Sequence, residues 1–66
     1  MDKLPIGSLW VSPHNGTTRI ITHIQPCRQY GRFAYFIEYY DSSHECIMTT
    51  ISTATEWICR WRSHDA

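Results

Sequence analysis

A small, mostly β fold is what the sequence predicts, and three observations predict it. Short runs of β-branched and aromatic residues recur along the chain, each bounded by Gly, Pro, Asn or Asp. From Thr18 to Ile24, and again from Arg32 to Tyr40, residues that favour a pleated, half-buried surface follow one another almost without interruption. Only near the C-terminus does a helical signal replace the two-residue period. The expected architecture is a small curved antiparallel sheet of four to five strands with a short C-terminal helical turn, one domain over residues 1–66.

Each element has its own reason. Pro5-Ile6-Gly7 lead into Ser8-Leu9-Trp10-Val11, a short apolar run that reads as the first strand. Asn15-Gly16 follows, the strongest short hairpin signal, because a type I′ turn needs positive φ at both central residues. In the second strand, Thr18 to Ile24, one face carries Ile20, Thr22 and Ile24, and the other Arg19, Ile21 and His23. Neither face is cleanly polar, so alternation does not choose the inward side. Gln25 to Gly31 reads as a loop, broken by Pro26 and Gly31.

Arg32 to Tyr40 is the clearest strand. Phe33, Tyr35, Ile37 and Tyr39 share one face, and Ala34, Phe36, Glu38 and Tyr40 the other. Such a strand is central and covered on both sides, or it exposes an aromatic face. Asp41 to Glu45 is a polar turn, and Cys46 to Ile51 is a fourth strand returning antiparallel. Thr53 and Glu56 form a capping box, which starts a helix with Trp57, Ile58 and Trp61 on one face. The alternation Trp57, Cys59, Trp61 also suits a final strand; the helix, ending near Arg62, is preferred. A half-open barrel of SH3-like type manages the edges of so short a sheet best.

Composition narrows the function. A chain of 66 residues buries only about 60% of its unfolded surface, so little interior is left to house a reaction. Three Trp, four Tyr and two Phe exceed what such a core can hide. Six basic residues balance six acidic ones, which weighs against sequence-independent nucleic-acid binding. Cys27, Cys46 and Cys59 are odd in number, with no Cys-x-x-Cys pair. They are expected as reduced thiols packed as small hydrophobes, which fits a reducing cytoplasm. No signal peptide or membrane span is expected, because Met1 to Pro5 lacks an apolar stretch and no apolar run approaches about 18 residues.

His44-x-Cys46 is the tightest pair of metal-ligand types, yet no second close pair exists, so no metal and no cofactor are expected. His14 and His44 are expected in solvated loops, with His23 half-buried. No local Cys–His signature supports nucleophilic catalysis, and a non-enzymatic role is expected. Glu38, alone among the aromatics of the third strand, is expected on a solvent face, discouraging edge pairing.

The order of anchors carries a resemblance. Gly7-Ser8-Leu9-Trp10, Asn15-Gly16, the β-branched strand, Tyr35 to Tyr40, and Trp57-Ile58-Cys59-Arg60-Trp61-Arg62 span almost the whole chain. This resembles short phage and prophage proteins that pair a G-x-x-W opening with a terminal aromatic segment ending in W-R, similar in kind to Tudor, KOW and other SH3-like barrels. The resemblance implies a fold and a mobile-element origin, and it carries over no functional residue.

Arginines interleaved with aromatics are the positive signal. Arg28, Tyr30 and Arg32 cluster before the third strand, and Arg60, Trp61 and Arg62 at the C-terminus. Such residues are the hot-spot chemistry of protein interfaces. The expected role is a binding module for a protein partner, host or self, through Tyr30, Arg32, Tyr40, Arg60, Trp61 and Arg62. An alternative is a nucleic-acid-binding or transcription-regulating barrel, which requires Arg19, Arg28, Arg32, Arg60 and Arg62 to converge on one face. A homo-oligomeric structural unit is a third reading.

Overall fold

A computed structural model of the chain describes residues 4–63. The elements are β1 (Leu9–Val11), β2 (Thr18–Gln29), β3 (Arg32–Asp41), β4 (Cys46–Ser52), α1 (Ala54–Arg60) and β5 (Arg62–Ser63). The strands form one antiparallel sheet in the order β4-β3-β2-β1-β5. The sheet is not closed, because β4 and β5 are its two edges and no ladder joins them.

The mostly β reading of the sequence holds, while several local expectations change. Residues 25–29 are not loop: β2 continues to Gln29, with Pro26 opposite Tyr35. Proline is tolerated there because β1 pairs only with Thr18 to Ile20, which leaves the far stretch of β2 open on one side. The two-residue turn with positive φ at both positions lies at Tyr30 (φ 53) and Gly31 (φ 75), between the paired Gln29 and Arg32. At Asn15-Gly16 only Gly16 has positive φ. The β1–β2 connection is a wider loop, closed by Ser12 N–H donating to the Thr17 carbonyl at 2.8 Å and Gly16 N–H to the Ser12 carbonyl at 3.2 Å.

The ambiguous alternation of β2 has a geometric cause. The ladder pairs Ile21 with Tyr39 and then His23 with Glu38, so Thr22 is an extra residue in a bulge. Side-chain parity reverses across it. Ile21 is fully buried, and Ile24, three residues on, packs against the same core. His23 is consequently exposed rather than half-buried.

The core is Leu4, Trp10, Ile21, Ile37, Tyr39 and Trp57, drawn from β1, β2, β3, α1 and the segment before β1, with Met48 of β4 packed against it. The helix forms as the capping box requires. Glu56 N–H donates to Thr53 Oγ1, and Thr53 N–H donates to Glu56 Oε1, each at 3.1 Å. Its job in the fold is to deliver Trp57, which meets Trp10 and Tyr39 edge-on at 6.2 and 5.6 Å and stacks on Trp61 at 5.9 Å. The helix ends at Arg60, and the extended Trp61 turns the chain into β5, where Arg62 pairs with Val11 and Ser63 with Trp10. The helix is therefore the reading that holds for Trp57 and Cys59, ending two residues before Arg62, and a two-residue strand follows it where neither reading placed one.

Candidate functional site

The most organised polar group lies across β2 and β3. Arg19 and Asp41 are directly opposite, both on the core-facing side. Arg19 Nε donates to Asp41 Oδ2 at 3.0 Å. Its guanidinium carbon lies 4.2 Å from the Tyr39 ring centre and 4.0 Å from that of Trp61, with Trp57 at 5.7 Å. The cation is thus wedged between aromatic faces, an attraction that desolvation strengthens.

Asp41 is the one buried charged side chain among the described residues. Its Oδ1 accepts from the Ser43 hydroxyl at 2.7 Å, from Ser43 N–H at 2.9 Å, and from His44 N–H and Nδ1 at 3.1 Å each. Burial alone would push the carboxyl up; the Ser43, His44 and Arg19 donors outweigh it and hold the group well below the usual carboxylate range. Oδ1 takes the donors of the turn and Oδ2 the one from Arg19, so the carboxylate braces the β3–β4 turn and joins it to β2. The Trp57 Nε1 beside this group is buried without a hydrogen-bond acceptor, enclosed by the aromatic rings around it.

Among the described residues three clefts border α1. One is lined by Pro13, His14, Arg19, Cys59 and Arg60, beside the β1–β2 loop. The other two meet at Glu56. Of these, one, of about 550 Å³, lies between the β2–β3 hairpin and the helix start, lined by Tyr30, Arg32, Phe33, Thr53 and Glu56. The other, of about 210 Å³, is lined by Arg19, Thr50, Ser52, Arg60 and Trp61. Gln29 and Glu56 belong to both. The Thr53 backbone N–H holds the Glu56 carboxyl below its ordinary value, and the Thr53 hydroxyl and the charges of Arg60 and Arg32 add to this. A carboxylate therefore sits between two exposed arginines where these two clefts meet.

The six sequence-predicted site residues do not form one patch. Tyr30 and Arg32 share the hairpin cleft, and Arg60 and Trp61 share the one beside it. Tyr40 is on the outer face of the sheet, in the row Ile20, Tyr40, Ile47. Arg62 is exposed on the edge strand β5. Trp61 is only half-exposed, held between Trp57 and Arg19. The five arginines of the nucleic-acid reading are not equally free, because Arg19 is turned inward onto Asp41. Arg28 reaches the Gly31 carbonyl at 3.4 Å, at the hairpin tip.

Sequence reasoning missed Phe33 and Glu56 as surface residues of the site, and Arg19 and Asp41 as a pair. Asp41-Ser42-Ser43-His44 does carry a usable signal, since an Asp two residues before a Ser caps a turn through its own side chain. The thiols also differ from expectation: Cys46 and Cys59 are exposed and Cys27 half-buried, all three free, and none belongs to the core. Strand order places them there, with Cys46 opening an edge strand and Cys59 on the outer side of α1. Glu38 is on the outer face but in a central strand, accepting from Thr22 Oγ1 at 2.8 Å, so it guards no edge.

Among the described residues no group of three or more His, Cys, Asp or Glu side chains could hold a metal ion. No described helix is long and apolar enough to cross a membrane. Compared with known family models, curated proteins and solved structures, the chain finds no match.

Proposed function

We propose that the chain is a non-enzymatic, cytoplasmic binding module of SH3-like type that recognises a segment of a protein partner at the β2–β3 hairpin tip and the adjoining flank of α1. One observation carries this reading. Tyr30 holds φ of 53°, a conformation that penalises any side chain with a Cβ, and it is 94% exposed. Neither packing nor backbone favours a tyrosine there; glycine or asparagine would serve the turn better. An aromatic kept at a strained, solvent-facing turn is explained by contact with something outside the chain.

Its neighbours fit that role. Phe33 is 55% exposed and meets Tyr35 edge-on at 5.1 Å, while Arg32 lies beside Glu56. An exposed Tyr, Phe and Arg around a cleft with one acidic wall make a surface for an extended peptide or loop. The meander order, with α1 bringing β5 back beside β1, supports the SH3-like part of the reading. The engagement of Asp41 by Arg19, Ser43 and His44 supports the non-enzymatic part, and free thiols support a reducing compartment.

The test compares wild-type and Tyr30→Asn chains, immobilised at equal density, in capture from a lysate of the source cells. Asn tolerates the turn, so the variant keeps or gains thermal stability. The expected result is a set of proteins retained by the wild type and depleted about thirtyfold with the variant, matching a hot spot of about 2 kcal/mol. Equal retention by both chains overturns the proposal. So does loss of the retained set on nuclease treatment, which would make nucleic acid the occupant.

A further inference from the structure

We infer that β4 is a self-association edge, along which two copies of the chain pair antiparallel about a two-fold axis at Thr49.

The two edges of the sheet are treated differently. β5 is two residues long, carries Arg62 and follows directly on α1, so it offers little to pair with. β4 is seven residues long, reads Cys-Ile-Met-Thr-Thr-Ile-Ser, and contains neither a charge nor a proline. Charges, prolines, bulges and shortness are the devices that normally keep a strand edge from pairing. None of them is present here. Among the described residues β4 pairs with β3 alone, and no backbone hydrogen bond outside the ladders reaches residues 46–52. Its outward N–H and C=O groups are therefore free to extend the sheet.

The sequence of β4 is matched to its own reverse. In antiparallel pairing centred on Thr49, Ile47 faces the partner's Ile51, Met48 faces the partner's Thr50, and Cys46 faces the partner's Ser52. All seven residues overlap in this register, and each inner-face residue meets an inner-face residue and each outer-face residue an outer-face one. A slip of one residue would set inner-face against outer-face side chains, and a slip of two shortens the overlap. On the outer face the β-branched pairs Ile–Ile, Thr–Thr and Ile–Ile stand side by side, a favourable set of cross-strand contacts.

The surrounding surface agrees. Ile20, Tyr40 and Ile47 form one outer row, at 40, 37 and 52% exposure, and Phe36 and Ile51 lie in another, with Ile51 at 44%. Two-fold pairing abuts the first row of each copy to the second row of the other, joining half-exposed apolar residues across the new seam. The pairing is isologous and closes on itself, so it yields a dimer and stops. Pairing of β4 with β5 of another copy would engage two residues instead of seven. The last residues of the edge, Thr50 to Ser52, line the smaller cleft beside α1, whereas Tyr30 belongs to the larger one, and the inference does not depend on what the hairpin tip binds.

Analytical ultracentrifugation of the full chain in reductant, over about a hundredfold range of concentration, tests this. The decisive variant is Thr49→Lys. It replaces the packed Thr–Thr contact on the axis by two lysine side chains, while Thr49 is already solvent-exposed in the single chain. Glu38 of the same chain, opposite each across the β3–β4 ladder, offsets part of their repulsion. The lost contact and the crowding of two long side chains add to what remains. The wild type is expected to pass from monomer to dimer as concentration rises, and T49K to dimerise about tenfold or more weakly. Hydrogen exchange of the wild type provides a reading free of any mutation: amides in 46–52 become more protected with concentration, and those of β1 do not. A chain that stays monomeric, a dimer indifferent to T49K, or species larger than the dimer would each overturn the inference.

Discussion

Asp41 shows how one side chain can hold together parts of the chain far apart in sequence. It reaches forward to Ser43 and His44, which fixes the turn into β4, and across the ladder to Arg19, twenty-two residues earlier. Removing its charge leaves Arg19 half-desolvated without a counter-ion, so Asp41→Asn is expected to lower stability by about 2–4 kcal/mol at neutral pH. The pH dependence has a definite sign. The folded-state carboxyl is held below its ordinary value of 3.8, so its contribution is complete above that value. It fades as pH falls below about 4, where the unfolded chain takes up the proton first. Urea unfolding at successive pH values checks both statements: the wild type weakens below about pH 4, and D41N, already weaker, lacks that component. Equal stability of the two chains at pH 7 would contradict the role given to Asp41.

At the scale of elements, two of the three hairpins share one solution. Gly16 N–H returns to the Ser12 carbonyl, and Glu45 N–H returns to the Asp41 carbonyl at 2.8 Å, each from a residue with positive φ. The first loop places glycine at the left-handed position; the second places Glu45 there, with φ of 54°. Glu45→Gly removes that strain and gives back part of the gain as unfolded-chain entropy, so it is expected to stabilise by about 0.5 kcal/mol. A lower urea midpoint for E45G would show that the Glu45 side chain matters in a way its exposed position does not suggest. Elements with local causes were legible in the sequence: the capping box at Thr53 and Glu56, the aromatic run of β3, the uncharged run of β4. The full length of β2 was not, because its cause is non-local. Pro26 looks like a break until one knows that β1 stops short of it, and the Thr22 bulge scrambles the parity by which a strand's inner face is read.

At the scale of the whole molecule, the same limit governs the site. Tyr30 and Arg32 could be picked out as a surface pair because they are neighbours on one turn, whereas Arg19 could not be subtracted from the basic surface without its distant partner Asp41. The clefts exist because a single short helix packs over an open sheet, and that packing rests on one buried residue, Trp57. A chain of 66 residues has a net stability of roughly 3–10 kcal/mol. Truncating a fully buried tryptophan costs about 3–5 kcal/mol, and here it would also strip Trp10, Tyr39, Trp61 and Arg19 of their common contact. Trp57→Ala is therefore expected to leave little or no cooperative melting transition. Trp57→Phe keeps a ring in place and is expected to lose only about 1–2 kcal/mol, with the hairpin cleft and Tyr30 undisturbed. Thermal melts followed by circular dichroism separate these outcomes. If W57A melted as sharply and as high as the wild type, α1 would be an appendage on a self-sufficient sheet, and none of the clefts would owe its shape to it.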